Sequence, residues 1–302
     1  MKTTQLLKIL SASVLVACAD RAAPEVAQAD LTLTGENGTS FNGTSFNGTS
    51  FNGASLNGTS FNGVELGSIG LDAVTLGGAA LHDVWLDGSA LAGMAPSGAL
   101  HGTDFVGAHL WGQLSNGQAL ELRIDAIAPL TGANSDVLAY TVRVATDQGW
   151  IALCGDDSDG AVRQALAVAG TWNVQTGAWH DGGVMSFACR RASVAKCVEL
   201  GYKPWLGLGD HQRACVRMLR ADYCGDGTPY TVTGTPINLY DEAGVQLDTE
   251  AWPVDAEWGP DGALCFHHHR GGVQPACHAE KYRASCGSFA SGALLIDEYA
   301  GP

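Results

Sequence analysis

The chain has 302 residues, with 31 acidic and 16 basic side chains and a formal net charge of −15. That length admits one large domain or two modest ones. Phosphate contacts need clustered Lys and Arg, so nucleic acid is not an expected partner. Hydrophobic residues make up 46% and charged residues 16%, a balance that excludes disorder throughout the chain. No apolar run reaches the ~18 residues that a membrane-spanning helix needs.

Lys2 and Lys8 make a basic start, and an apolar stretch from Ile9 to Ala17 follows. The stretch is too short to span a bilayer and reads as an export signal. It ends in Leu15-Val16-Ala17-Cys18, which resembles the lipobox of bacterial lipoproteins. The resemblance implies that residues 1–17 are a signal peptide and that Cys18 is acylated. Buried acyl carbons contribute ~0.8 kcal/mol each, and more than one chain makes a stable anchor. By the same resemblance, the neutral Ala19 implies an outer-membrane lipoprotein, facing the periplasm or the cell surface. Residues 18–36 show no sustained apolar period and are expected to form a tether.

A five-residue repeat begins at Asn37 and reads NGTSF, NGTSF, NGTSF, NGASL, NGTSF. Phe41, Phe46, Phe51, Leu56, Phe61, Leu66, Leu71, Leu76, Leu81, Leu86 and Leu91 hold the register. Leu100, Phe105 and Leu110 resume it after Pro96. A period of five fits neither a 3.6-residue helix nor a two-residue strand. It fits a solenoid with one short side and one corner per repeat, and Asn-Gly supplies the positive φ that tight corners need. The pattern resembles the pentapeptide-repeat family. That resemblance implies a right-handed quadrilateral β-helix over residues 37–112, with coils joined by parallel β-bridges. The expected role is a spacer. A DNA-mimicking rod is the alternative, and an exported chain disfavours it. Removing residues 37–112 is expected to leave the rest folded.

From about residue 118 the composition changes. Leu120, Leu122 and Ile124 alternate with polar residues, as do Leu138, Tyr140, Val142 and Val144, so both segments predict half-buried strands. Residues 150–154 predict a third strand and 231–240 a further one. Helices are expected near 194–200 and 211–219, the first ended by Gly201 and Pro204. Strands dominate an α+β domain over residues 118–302. Cys154, Cys189, Cys197, Cys215, Cys224, Cys265, Cys277 and Cys286 all lie in it. An even number in an exported chain implies disulfides, and spacing alone does not choose the pairs.

Three segments are distinctive: Phe187-Ala-Cys-Arg-Arg, then 195–205 (AKCVELGYKPW), then 211–227 (HQRACVRMLRADYCGDG). They resemble the ADYC domain, whose tetrapeptide stands here as Ala221-Asp222-Tyr223-Cys224. The resemblance implies an exported protein of the myxobacterial type and implies no catalytic residues.

His211, Asp222 and Asp226 are the candidate catalytic groups, since acid–base work needs two carboxyls or a carboxyl and an imidazole on one cleft. The competing reading is structural: Asp222 closes a helix and Asp226 bonds its own turn. His267, His269 and His278 are candidate metal ligands, because a strand would put the first two on one face. Against this stands a solvated strand end. Asp156-Asp157-Ser158-Asp159-Gly160 lacks the acid and the final Glu of an EF-hand and reads as a polar turn. Five tryptophans, Trp172, Trp179, Trp205, Trp252 and Trp258, are expected in the core rather than in a groove. No cofactor is expected. The function expected is a lipid-anchored cell-envelope protein with a binding or structural role. Its expected partners are the membrane, through the lipid, and a protein or glycan of the envelope or exterior. The alternative is an exported hydrolase with its site in the C-terminal domain.

Overall fold

The computed structural model describes residues 66–301 apart from 115–116, 148, 157–159, 174–175, 191 and 232–234. The signal peptide, Cys18, the tether and repeat residues 37–65 lie outside the described residues, as does most of the polar turn at 156–160. Strand β1 (Leu66–Leu76) is followed by the short β2 (Ala79–Ala80). Then come β3 (His82–Asp87), β4 (Ala90–Ala95) and β5 (Gly98–His101). Four strands follow: β6 (His109–Leu114), β7 (Ala119–Pro129), β8 (Leu138–Thr146) and β9 (Gly149–Ala152). A hairpin of β10 (Ala165–Trp172) and β11 (Trp179–Cys189) leads into helices α1 (Ser193–Glu199) and α2 (Gly209–Arg220). The chain ends with β12 (Asn238–Asp241), β13 (Val254–Gly259), β14 (Gly262–Phe266), the one-turn α3 (His278–Lys281) and β15 (Leu295–Glu298).

Six of these strands close on themselves. Their order is β10-β11-β1-β6-β7-β8, and β8 pairs back to β10 through Ala165↔Tyr140 and Leu166↔Ala139. All these pairings are antiparallel. Closure removes the unpaired edges that an open sheet would present. Alternation fills the interior: Leu120, Leu122 and Ile124 of β7 are buried, while Arg123 and Asp125 face outward. Asp125 bridges Arg123 and Arg143 at 2.7 Å each, and Arg123 is the main cause holding its carboxyl below the usual range. Tyr140 spans from the barrel to β4. Its hydroxyl donates to the Ser89 carbonyl at 2.7 Å and accepts from the Leu91 amide at 3.1 Å, and burial pushes its pKa up to about 12.

Strand β10 is buried on both faces. Ala165 and Ala167 point into the barrel, while Leu166 and Val168 pack outward against α1 and α2. That outer core continues to a four-stranded sheet of order β12-β15-β13-β14, through Ala256, Trp258, Phe266 and Leu295. Four disulfides use all eight cysteines of the region: Cys154–Cys189, Cys197–Cys215, Cys224–Cys277 and Cys265–Cys286. The protein is β-rich with a disulfide-dense C-terminal region, as expected. Trp172 and Trp258 are fully buried, and Trp179 and Trp205 pack against the same core.

The five-residue register runs on through residues 66–112, but the parallel coil does not. Leu66, Leu81, Leu91, Phe105 and Leu110 are buried, yet β1 pairs antiparallel with β6 and β11. The expectation of a β-helix over 37–112 is therefore corrected for its described part. After Asn62-Gly63 the Asn-Gly pairs of the sequence give way to Gly77-Gly78 and Gly88, all at positive φ. Two-residue turns of this kind reverse a strand into a hairpin, whereas a coil must keep its sense of winding. A second difference lies at 231–240, where among the described residues only Asn238–Tyr240 pair as part of a strand, β12. Pro236 carries no donor for a ladder just before it. Strands β10, β11, β13, β14 and β15 have no counterpart in the sequence reading, because their Ala, Gly and acidic residues give weak strand signals.

The truncation expectation changes accordingly. Deleting 37–65 will leave the melting transition of the folded region in place, because no described strand is touched. Deleting 37–112 will abolish cooperative melting, because β1 and β6 are adjacent barrel staves. Circular dichroism melts of the two truncations check this; a cooperative transition in the longer deletion would sink the closed-barrel assignment.

Candidate functional site

The tetrapeptide 221–224 sits where α2 ends. Ala221 adopts a left-handed conformation, φ 53°, which terminates the helix. Asp222 is fully buried and pairs with Arg217 Nη1 one turn back. Its carboxylate also accepts the backbone amides of Gly225 and Gly227, each at 3.0 Å. Tyr223 enters the core, its ring 5.2 Å from Trp258 and 5.0 Å from Phe266. Cys224 is bonded to Cys277. Gly225 follows at φ 77°, where a Cβ would stand 1.9 Å from the Asp261 carbonyl oxygen. Each member of the motif is thus committed to the fold.

Two buried guanidiniums organise the surroundings. Arg217 Nη2 donates to the Gly177 carbonyl at 2.5 Å and Nε to the Pro260 carbonyl at 3.3 Å, with the Trp172 ring centroid 4.7 Å away. It therefore ties the β10–β11 turn, the β13–β14 turn and its own helix end together. Arg270 is 1% exposed, donates to Asp255 at 2.7 Å and to the Met218 carbonyl at 2.5 Å, and forms an ion pair with Asp297 at 3.2 Å. The Tyr223 hydroxyl donates to Asp255 at 2.8 Å and accepts the Arg270 amide at 2.8 Å. Trp258 Nε1 donates to Asp297 at 2.6 Å. Burial opposes the charge on Arg270, but Asp297 and Asp255 outweigh it and raise its pKa. Burial first, then the neighbouring Asp255, push the Asp297 carboxyl well above the usual range. A second carboxylate facing the same guanidinium in a dry site is costly to ionise, which is the physical reason the Asp297 carboxyl is held up.

The candidate catalytic groups do not converge. His211 lies in the first turn of α2, half-buried, its ring 6.2 Å from Tyr202 and nearly parallel to it. Asp222 follows the other end of that helix, about 16 Å along its axis at 1.5 Å per residue. Asp226 is exposed and accepts the Thr228 amide at 2.9 Å, an Asx turn of the kind expected on the structural reading. The structure corrects the idea of one acid–base cleft shared by His211, Asp222 and Asp226.

The histidines do come together. His267, His268, His269 and His278 line one cleft of about 570 Å³ with Tyr282 and Tyr299. Strand β14 stops at Phe266, so 267–269 form a bend rather than the expected strand end. The Asp255 carbonyl causes this by accepting both the His267 amide at 2.9 Å and the His268 amide at 3.3 Å. All three imidazoles then reach the cleft, including His268, which period-two reasoning placed on the opposite face. Tyr282 and Tyr299 carried no sequence signal; only the β14–α3 packing and the chain after β15 bring them there. A separate group, Glu257 with Cys265 and Cys286, gathers three ligand-type atoms among the described residues. Its sulfurs are joined to each other, and Glu257 accepts the Gly287 amide at 2.6 Å, the Ser288 amide at 2.9 Å and the Ser291 hydroxyl.

The molecule is thus a disulfide-stapled barrel packed on a second sheet, with the helix end at 221–224 turned to structure and an imidazole cleft beside it. Residues 102–272 match the ADYC domain, more than half of the chain, and the chain belongs to that family. Pentapeptide repeats match residues 37–66, ending where β1 begins. No curated protein and no solved structure matches the chain. The folded region is longer than the family match at both ends. It needs β1 before it and α3 and β15 after it, and the histidine cleft straddles its C-terminal limit.

Two predictions follow from the buried charges. Asp222→Ala leaves Arg217 buried without its partner and is expected to cost about 3–5 kcal/mol. Asp226→Ala, at an exposed turn, is expected to cost under about 1 kcal/mol. Urea denaturation measures both, and equal stabilities would contradict the structural role. For Asp297 the folded pKa is raised, so its contribution is fully present below the unfolded carboxyl pKa of about 3.9 and is lost as pH rises through the folded value. Asp297→Asn removes that dependence. Above about pH 4, stability should therefore fall less in the variant than in the parent chain. Denaturation at a series of pH values tests this; parallel curves would refute it.

Proposed function

We propose that the chain is a lipid-anchored cell-envelope protein whose ADYC domain binds a protein or glycan ligand at the histidine–tyrosine cleft. One observation carries the reading. Four imidazoles and two phenols converge on an open cleft, and none of those imidazoles has a hydrogen-bond partner among the described residues. The family's own motif is spent on holding the fold. Four disulfides support an oxidising compartment, and the basic-apolar leader ending at Cys18 supports export and acylation.

Repeat residues 37–65 are read here as a right-handed quadrilateral coil that spaces the domain from the membrane. At five residues per side and about 4.8 Å per coil, this segment adds only roughly 7 Å of height. Most of the reach therefore belongs to residues 19–36, which span at most about 60 Å when extended.

The anchor is tested by Cys18→Ser, which should move the chain from the membrane to the soluble fraction of cells. Retention in the membrane would remove the lipid anchor from the proposal. The ligand face is tested in cells by a photocrosslinking amino acid at position 282, compared with one at exposed Leu247. A crosslinked envelope species from position 282 alone is expected, and a silent position 282 would overturn the cleft as the ligand face.

A further inference from the structure

We infer that the histidine cleft is a binding site for a borderline divalent transition-metal ion, of the zinc, copper or nickel kind. Neutral imidazole is the commonest protein ligand for these ions. The cleft presents four of them from two segments, residues 267–269 and the start of α3. Both segments are pinned at their roots. Cys265, bonded to Cys286, stands two residues before His267, and Cys277, bonded to Cys224, immediately precedes His278. The Arg283 amide donates to the Phe266 carbonyl at 2.9 Å, which holds the end of α3 against β14. The imidazoles thus hang from a rigid frame, as ligands must if ordering them is to cost little.

The rings themselves are uncommitted. His109 is engaged by Glu121 at 2.7 Å, and His101 lies 3.4 Å from Asp87. The four cleft histidines make only ring contacts, and His269 keeps a buried Nδ1 with no partner. The His269 and His278 centroids lie 6.2 Å apart. Two imidazoles sharing one ion, with metal–nitrogen bonds of about 2.0–2.1 Å, place their centroids roughly 5–6.5 Å apart. That pair stands at the wide end of this range, so an approach of about 1 Å brings it to the separation of a tetrahedral site. His267 and His268 stack at 4.5 Å, and His268 is exposed. A rotamer change of His268 supplies the third ligand, since among the described residues no three histidine nitrogens are already gathered. Among the described residues no carboxylate lines the cleft. Calcium and magnesium want oxygen ligands, so this imidazole-rich donor set disfavours them. The chain's formal net charge of −15 raises the local concentration of any cation.

The inference uses the cleft of the proposed function but stands without its macromolecular ligand, so metal binding and crosslinking can fail separately. The test is calorimetric titration of the oxidised full chain, carrying no histidine tag, with zinc, copper, nickel, calcium and magnesium salts. Saturable binding of one transition-metal ion per chain is expected, with no saturation by calcium or magnesium. His278→Ala and His268→Ala should each weaken binding at least ten-fold, while His82→Ala and His101→Ala, exposed elsewhere, leave it unchanged. His268 is a surface side chain, so its variant remains informative if His278→Ala fails to fold. Copper-loaded protein should also show nitrogen hyperfine structure in its paramagnetic resonance spectrum, lost in the double cleft variant. Equal affinity in the cleft and remote variants, or calcium binding as tightly as zinc, would overturn the assignment.

Discussion

Arg270 is the constraint on which much of the second half depends. Its guanidinium is buried between Asp255 of β13 and Asp297 of β15, and its own amide meets the Tyr223 hydroxyl beyond α2. A charge in that position is tolerable only when it is paired, because an uncompensated ion in a low-dielectric core costs several kcal/mol. The partners come from three separate elements, so the network admits one arrangement of helix and sheet. Arg217 repeats the device nearer the barrel, where it holds the β10–β11 turn, the β13–β14 turn and Asp222 at once. The two arginines together join barrel, helices and second sheet into a single packed body.

This explains why the family's tetrapeptide carries no visible chemistry. Ala221 turns the helix off, Asp222 answers Arg217, Tyr223 answers Asp255 and Cys224 closes a disulfide. Replacing any one would disturb packing rather than a reaction. The uncommitted side chains lie next door, on the surface that this scaffold supports. The Asp255 main chain makes the connection: its carboxyl belongs to the buried cluster, and its carbonyl bends the histidine tract. A disulfide-stapled, charge-paired interior thus displays a cluster of groups that it does not itself use.

The repeats give a different lesson. Leu66, Leu81 and Leu91, and Phe105 and Leu110 beyond the slip at Pro96, are buried although the strands around them pair antiparallel. Periodicity correctly marked these side chains as interior. It did not mark which strands they join, because the sense of the chain is decided at the corners. Gly77-Gly78 and Gly88 are the hairpin signals in this segment, and an unbroken five-residue register masked them. The match to pentapeptide repeats ends at residue 66, where those corners change.

By itself, the sequence determined the β-rich class, the eight cysteines available for disulfides, the alternating strands β7 and β8, helices α1 and α2, and the family. These are local or compositional properties, and a short window of residues suffices to carry them. Tertiary structure alone decided the pairing of the eight cysteines, the closure of the barrel and the separation of His211 from Asp222. It also decided that His267, His268, His269 and His278 share a cleft with Tyr282 and Tyr299. Each of those facts joins residues far apart in the chain. They meet only because buried charges and packed faces leave the backbone no other arrangement, and no local pattern encodes that.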